Sequence, residues 1–149
     1  MKNILFVCTG NTCRSPVAEK VFNFMAKEKN LPFTAKSAGI CTVTGLPMSE
    51  NSALVLKEQG IDPVPFKSTS IDEVDLSRID CFVALNEDHK YALVNDFCVD
   101  SDKIVVLNVD DPYGGSIAVY RVCFDEIRTA VRELINKLGE QDESSKTHN

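Results

Sequence analysis

The chain predicts an α/β fold, a three-layer, doubly wound sheet of four parallel strands with helices on both faces. Three observations predict it. Four short segments, at residues 4–7, 34–40, 80–85 and 104–107, have strand lengths, and stretches with apolar residues at helical spacing separate them. Strands alternating with helices imply parallel pairing through right-handed crossovers. Residues 81–85, Cys-Phe-Val-Ala-Leu, form a continuous apolar run of the kind a parallel sheet buries on both faces. The 149 residues are 44% hydrophobic and 26% charged, an ordinary composition for one globular domain. No repeat, linker or low-complexity tract divides it, so residues 1–139 are expected to form one domain and residues 140–149 a polar, disordered tail.

The elements follow in order. Residues 4–7, Ile-Leu-Phe-Val, read as a buried strand that runs into a tight loop. Ser15 is the expected N-cap of the first helix and Pro16 its first helical residue, while Ala18 excludes a capping box. Ala18, Val21, Phe22 and Met25 give that helix an apolar face, and it is expected to reach about Lys29. After the second strand, Gly45 and Pro47 mark a connection at residues 41–47, expected to wall one side of a site entrance. Residues 49–59 read as the second helix, with Gly60 as its stop. Pro63 and Pro65 force an extended segment, and Ser70 is expected to cap a short surface turn over Ile71, Val74 and Leu76. Glu87 and Asp88 suit the start of a third helix, in which His89 reads as a solvated residue rather than a base. The last helix spans residues 117–138, with Tyr120, Phe124, Ile127, Val131, Leu134, Ile135 and Leu138 on one face, and is expected to end at Gly139.

The loop after the first strand carries the chemistry. Its N–H groups and the following helix N-terminus together make an anion-binding concavity suited to a phosphate. Gly10 and Asn11 are residue types that tolerate a left-handed backbone. Arg14 supplies a planar fork for two oxygens of a tetrahedral oxyanion. A thiol at Cys8 in that field is expected to ionise below its free value of ~8.5 and act as a nucleophile beneath a phosphoryl group. A lone Cys ending a buried strand is more often a small core residue. Here the spacing decides otherwise: Cys, five residues, Arg, then Ser-Pro opening a helix.

A second informative stretch follows the fourth strand, at residues 108–116. Asp111-Pro112 favours a turn, which Asp111 would cap on the plainest reading. Phosphoryl transfer to a thiol also needs an acid for the leaving group, delivered at the C-terminal edge of the sheet where the first loop lies.

These residues resemble the low-molecular-weight protein tyrosine phosphatase family, whose loop reads Cys-x-Gly-Asn-x-Cys-Arg-Ser-Pro and whose acid motif is Asp-Pro-aromatic. The loop match spans Cys8, Gly10, Asn11, Cys13, Arg14, Ser15 and Pro16, and the likeness extends from the first strand to the last helix. The resemblance implies Cys8 as nucleophile, Arg14 as phosphate clamp and Asp111 as acid, with Asp110 as the second candidate. Thr9, Gly10, Asn11, Thr12, Cys13 and Ser15 would bind the phosphate, Ser15 would ease departure of the Cys8 sulfur, and Tyr113 would flank the substrate pocket. Cys13 is implied as a reversible disulfide partner of Cys8 under oxidation. Ser37, in a Ser-Ala-Gly that also fits the family, is a candidate support of the loop. Phe66 stands where many relatives carry a His that supports the loop Asn. Thr12 and the segment 111–117 resemble the protein arginine phosphatase branch, which places phosphoarginine ahead of phosphotyrosine as substrate.

Two alternatives remain open on sequence. An arsenate reductase of this fold would need two closely spaced later cysteines, whereas Cys98 is the next after Cys81. A non-catalytic phosphate-binding domain would not need nucleophile, arginine and acid together. The net charge of −6 argues against nucleic acid as a partner. The short apolar opening fits neither a signal peptide nor a membrane span, so a cytoplasmic protein with reduced cysteines is expected. With two His and no Cys-x2-Cys pair, no metal and no cofactor are expected. The expected partner is a phosphorylated protein or peptide, met by a monomer or weak dimer.

Overall fold

The architecture is that of a computed structural model describing residues 2–147. Four strands, β1 (Lys2–Cys8), β2 (Phe33–Gly39), β3 (Cys81–Ala84) and β4 (Ile104–Val106), form one parallel sheet in the order β2-β1-β3-β4. The helices are α1 (Arg14–Glu28), α2 (Glu50–Glu58), α3 (Glu87–Phe97) and α4 (Ile117–Thr147). This is the expected doubly wound α/β arrangement. Side chains alternate across each strand, so β1 feeds two cores. Ile4, Phe6 and Cys8 pack beneath α1, α2 and α4, whereas Leu5 and Val7 meet Ile71, Ile79, Leu93 and Val99 on the α3 side.

The strand order places the chemistry. From β1 the chain crosses to β2 on one side, and from β3 it crosses to β4 on the other, so the loops diverge beyond the C-terminal ends of β1 and β3. Val7 pairs with Ala84 and Ala84 with Val106, which puts the loop after β1 and the loop after β4 at one edge.

Several local expectations need correction. Cys13, not Ser15, is the N-cap of α1, and it makes no side-chain cap bond. Ser15 lies in the first turn because its hydroxyl is engaged inward, with Cys8 and Asn11. The turn capped by Ser70 is not wholly superficial, since Ile71 is buried in the α3-side core. Helix α4 buries the whole predicted apolar face but runs through Gly139 to Thr147. Gly139 does not adopt the left-handed conformation that ends a helix, unlike Gly60 after α2. A helical glycine costs only about 1 kcal/mol, and the Glu and Gln that follow sustain a helix. Residues 148 and 149 of the predicted tail lie outside the described residues. Among the described residues no helix is long and apolar enough to cross a membrane.

Candidate active site

Cys8 ends β1 and is almost wholly buried. Its Sγ lies 2.7 Å from Ser15 Oγ and accepts the Asn11 N–H at 3.3 Å. Asn11 organises what surrounds it. Its backbone is left-handed, φ 55°, as expected for that residue type, whereas Gly10 shows no positive φ. Asn11 Nδ2 donates to Ser15 Oγ at 2.8 Å and to Ser37 Oγ at 2.9 Å, and its Oδ1 accepts the Thr69 N–H at 2.8 Å. Because Ser15 Oγ accepts from Asn11, its own hydrogen is available to the Cys8 sulfur. Ser37 in turn donates to Glu19 Oε1 at 2.9 Å, and burial pushes the Glu19 carboxyl above its ordinary value. The predicted support from Ser37 is present, and the Thr69 N–H supplies the Asn11 contact that Phe66 cannot.

The loop's carbonyls explain where its N–H groups point. The Cys8 and Thr9 carbonyls accept from the N–H groups of Ile40 and Cys41, at 2.9 and 3.0 Å. The Thr12 carbonyl accepts from Ser49 N–H at 2.9 Å, and the Cys13 carbonyl from Ser52 Oγ at 3.2 Å. In a planar trans peptide the next N–H faces the opposite way. Holding these carbonyls outward therefore turns N–H groups of the loop toward its centre. Gly39 permits this close docking, since a Cβ there would lie 2.7 Å from the Thr9 carbonyl oxygen and 3.1 Å from Asn11 Cβ.

Arg14 is buried under the loop after β4, where it donates to the Val109 carbonyl at 2.9 Å, and its Nη2 lies 3.8 Å from Asp111 Oδ2. Asp111 is half exposed and accepts the Tyr113 N–H at 3.0 Å, a turn within its own loop. The plain capping role and the predicted placement beside the arginine thus coexist. Cys8, Thr9, Gly10, Asn11, Thr12, Cys13, Arg14, Asp111 and Tyr113 together line a hollow of about 210 Å³. Every predicted site residue except Ser15 is at its wall, and Asp110 is not. Larger hollows, of about 400 Å³ between β4 and α4 and about 630 Å³ beside β2, do not combine a cysteine with an arginine.

The electrostatics correct one expectation. Burial raises the Cys8 thiol above its ordinary value, although Ser15, the Asn11 N–H and Arg14 each pull it down. The donors are where the sequence placed them, but desolvation of the sulfur outweighs them. Cys13 has its own partner: its Sγ lies 3.5 Å from Tyr120 Oη, and burial pushes the Tyr120 hydroxyl up to about 12. All six cysteines are free thiols, so a Cys8–Cys13 disulfide would draw each sulfur from a hydroxyl it now meets.

The model of the low molecular weight phosphotyrosine protein phosphatases matches residues 3–144. The chain belongs to that family. A protein-arginine-phosphatase of Geobacillus stearothermophilus is 36% identical to it, over 91% of this chain and 95% of the relative. The crystal structure of a low molecular weight protein tyrosine phosphatase from T. tengcongensis superposes with a TM-score of 0.88 at 38% identity, covering 92% of this chain and 99% of that one. An arginine phosphatase solved as a cysteine-to-serine mutant with a phosphorylated active-site serine superposes with a TM-score of 0.87 at 31% identity, covering 92% and 95%.

His89 is buried, not solvated, and its Nε2 lies 3.0 Å from Thr9 Oγ1. Its Nδ1 accepts the Asn86 N–H at 3.1 Å, one half of a capping box. Burial, reinforced by Arg14 and opposed by Asp88 and Asp111, brings its pKa down to about 4. The available signal was its position three residues after Asn86, where a side chain turns back over the helix start.

Proposed function

We propose that this chain hydrolyses phosphorylated side chains of proteins in two steps through a phosphocysteine at Cys8, with phosphoarginine as the favoured substrate over phosphotyrosine. As a member of its family it is a protein phosphatase. The observation that carries the mechanism is the meeting of the Cys8 thiol, Arg14 and Asp111 at one hollow with room for a phosphoryl group. In the first step the Cys8 sulfur, as the thiolate that Ser15, the Asn11 N–H and Arg14 favour against the cost of burial, attacks phosphorus, and the bond to the leaving group breaks as Asp111 gives that group a proton. In the second, Asp111 takes a proton from water, whose oxygen attacks phosphorus, and the sulfur leaves as a thiolate stabilised by the Ser15 hydroxyl. Arg14 and the inward N–H groups gather the three equatorial oxygens, and their hydrogen bonds strengthen as charge develops. The arginine phosphatase with a phosphorylated active-site serine supports a covalent intermediate at this position of the fold.

Thr12 supports the substrate preference. It stands on the wall of the hollow, where a hydroxyl-bearing side chain leaves room for a polar guanidinium, and the Asp111 carboxylate attracts that cation. A bulky aliphatic residue there would instead pack on a phenyl ring. The test is a side-by-side assay on phosphoarginyl and phosphotyrosyl peptides for the wild type and Thr12→Ile. The wild type should favour phosphoarginine in kcat/KM, and the variant should move the ratio at least tenfold toward phosphotyrosine, about 1.4 kcal/mol of differential stabilisation. An unmoved ratio overturns the role of Thr12.

A further inference from the structure

The mechanism leaves one buried titratable side chain unused although it touches the loop. We propose that His89 is a positioning residue for the reaction proposed above, holding the Thr9 hydroxyl so that its hydrogen is offered to a phosphoryl oxygen in the hollow. Which atoms can donate fixes the direction of each bond. The Asn86 N–H, 3.1 Å from His89 Nδ1, is only a donor, so Nδ1 presents its lone pair. A neutral ring then carries its single hydrogen on Nε2, and Nε2 faces Thr9 Oγ1 at 3.0 Å. Thr9 Oγ1 accepts that hydrogen and keeps its own to give. Thr9 follows the nucleophile and lines the hollow with Arg14 and Asp111, so a phosphoryl group bound there brings acceptor oxygens to the Thr9 hydroxyl.

The ring's surroundings keep it neutral. Burial and the Arg14 cation oppose its protonation more than Asp88 and Asp111 favour it. A doubly protonated ring would set two donors, Nδ1–H and the Asn86 N–H, against each other. The loop after β1 is thus coupled to the start of α3 through one imidazole.

The experiment measures kcat, KM and melting temperature on whichever phosphopeptide the wild type hydrolyses, for His89→Gln, His89→Leu, Thr9→Val, the double variant His89→Leu/Thr9→Val, and Cys8→Ser. A glutamine amide presents an oxygen and a nitrogen in the same one-three relation as the two ring nitrogens. His89→Leu and Thr9→Val should each lower kcat/KM about tenfold, the worth of one hydrogen bond to a charged group. The double variant should be no worse than the poorer single, and His89→Gln should recover most of the loss. Multiplying losses, an unaffected His89→Leu, or a glutamine variant no better than leucine would overturn the proposal. Should His89→Leu fail to fold, Thr9→Val at its exposed position decides: wild-type kcat/KM there overturns it and a tenfold loss supports it. Activity persisting in Cys8→Ser would instead overturn the phosphocysteine reading, whatever His89 does.

Discussion

The loop after β1 and the loop after β4 face each other across one hollow, yet they are built oppositely. In the first, Cys8, Asn11, Arg14 and Ser15 are all buried, and the Asn11 N–H and both polar atoms of its side chain have fixed partners. In the second, Asp111 is half exposed and Tyr113 is 82% exposed, and among the described residues the Asp111 carboxylate is tied only to its own turn and to Arg14 at 3.8 Å. The difference suits the roles proposed for them. Oxygens developing charge need donors already in position, because reorganising them during the reaction costs rate. An acid that first gives and then takes a proton must reach two different oxygen or nitrogen atoms, so a looser tether serves it.

That contrast yields graded expectations. Arg14→Lys touches both loops and replaces a planar fork with a point charge. Its kcat/KM should fall about 10³-fold, the upper range for loss of a preorganised oxyanion donor. Asp111→Asn should lower kcat about 10²-fold on peptide substrates. The loss should be far smaller with p-nitrophenyl phosphate, whose leaving group needs little protonation. The same variant should shift folding stability by no more than about 0.5 kcal/mol in denaturant titration, as expected of an exposed side chain. Asn11→Ala should reverse that pattern and destabilise the fold by about 2–4 kcal/mol. It strands the Thr69 N–H and puts an alanine at φ 55°. Equal stability losses for Asp111→Asn and Asn11→Ala would erase the distinction between a rigid and a loose wall.

Sequence made the rigid wall easier to read than its supports. The spacing of Cys8, Arg14 and Ser15-Pro16 is local, and the loop geometry follows from it. The alternation of strands and helices was legible for the same reason, since each element's period is written in adjacent residues. His89 was not legible, because what makes it more than a helix residue is Thr9, 80 positions away and brought near only when β3 pairs beside β1. The Thr69 N–H that holds Asn11 carries no side-chain signal at all. Ser15 reads as a helix cap from its neighbours, but the buried sulfur and Asn11 claim its hydroxyl. The raised Cys8 thiol reflects burial, which a motif does not record.

The most direct test of the account is rapid acid quenching of the enzyme during turnover of a phosphopeptide, followed by mass spectrometry of its proteolytic fragments. A single phosphoryl group should appear on the fragment containing Cys8 and be lost when Cys8 is alkylated beforehand. Phosphate on any other residue, or steady turnover by enzyme alkylated at Cys8, would contradict it.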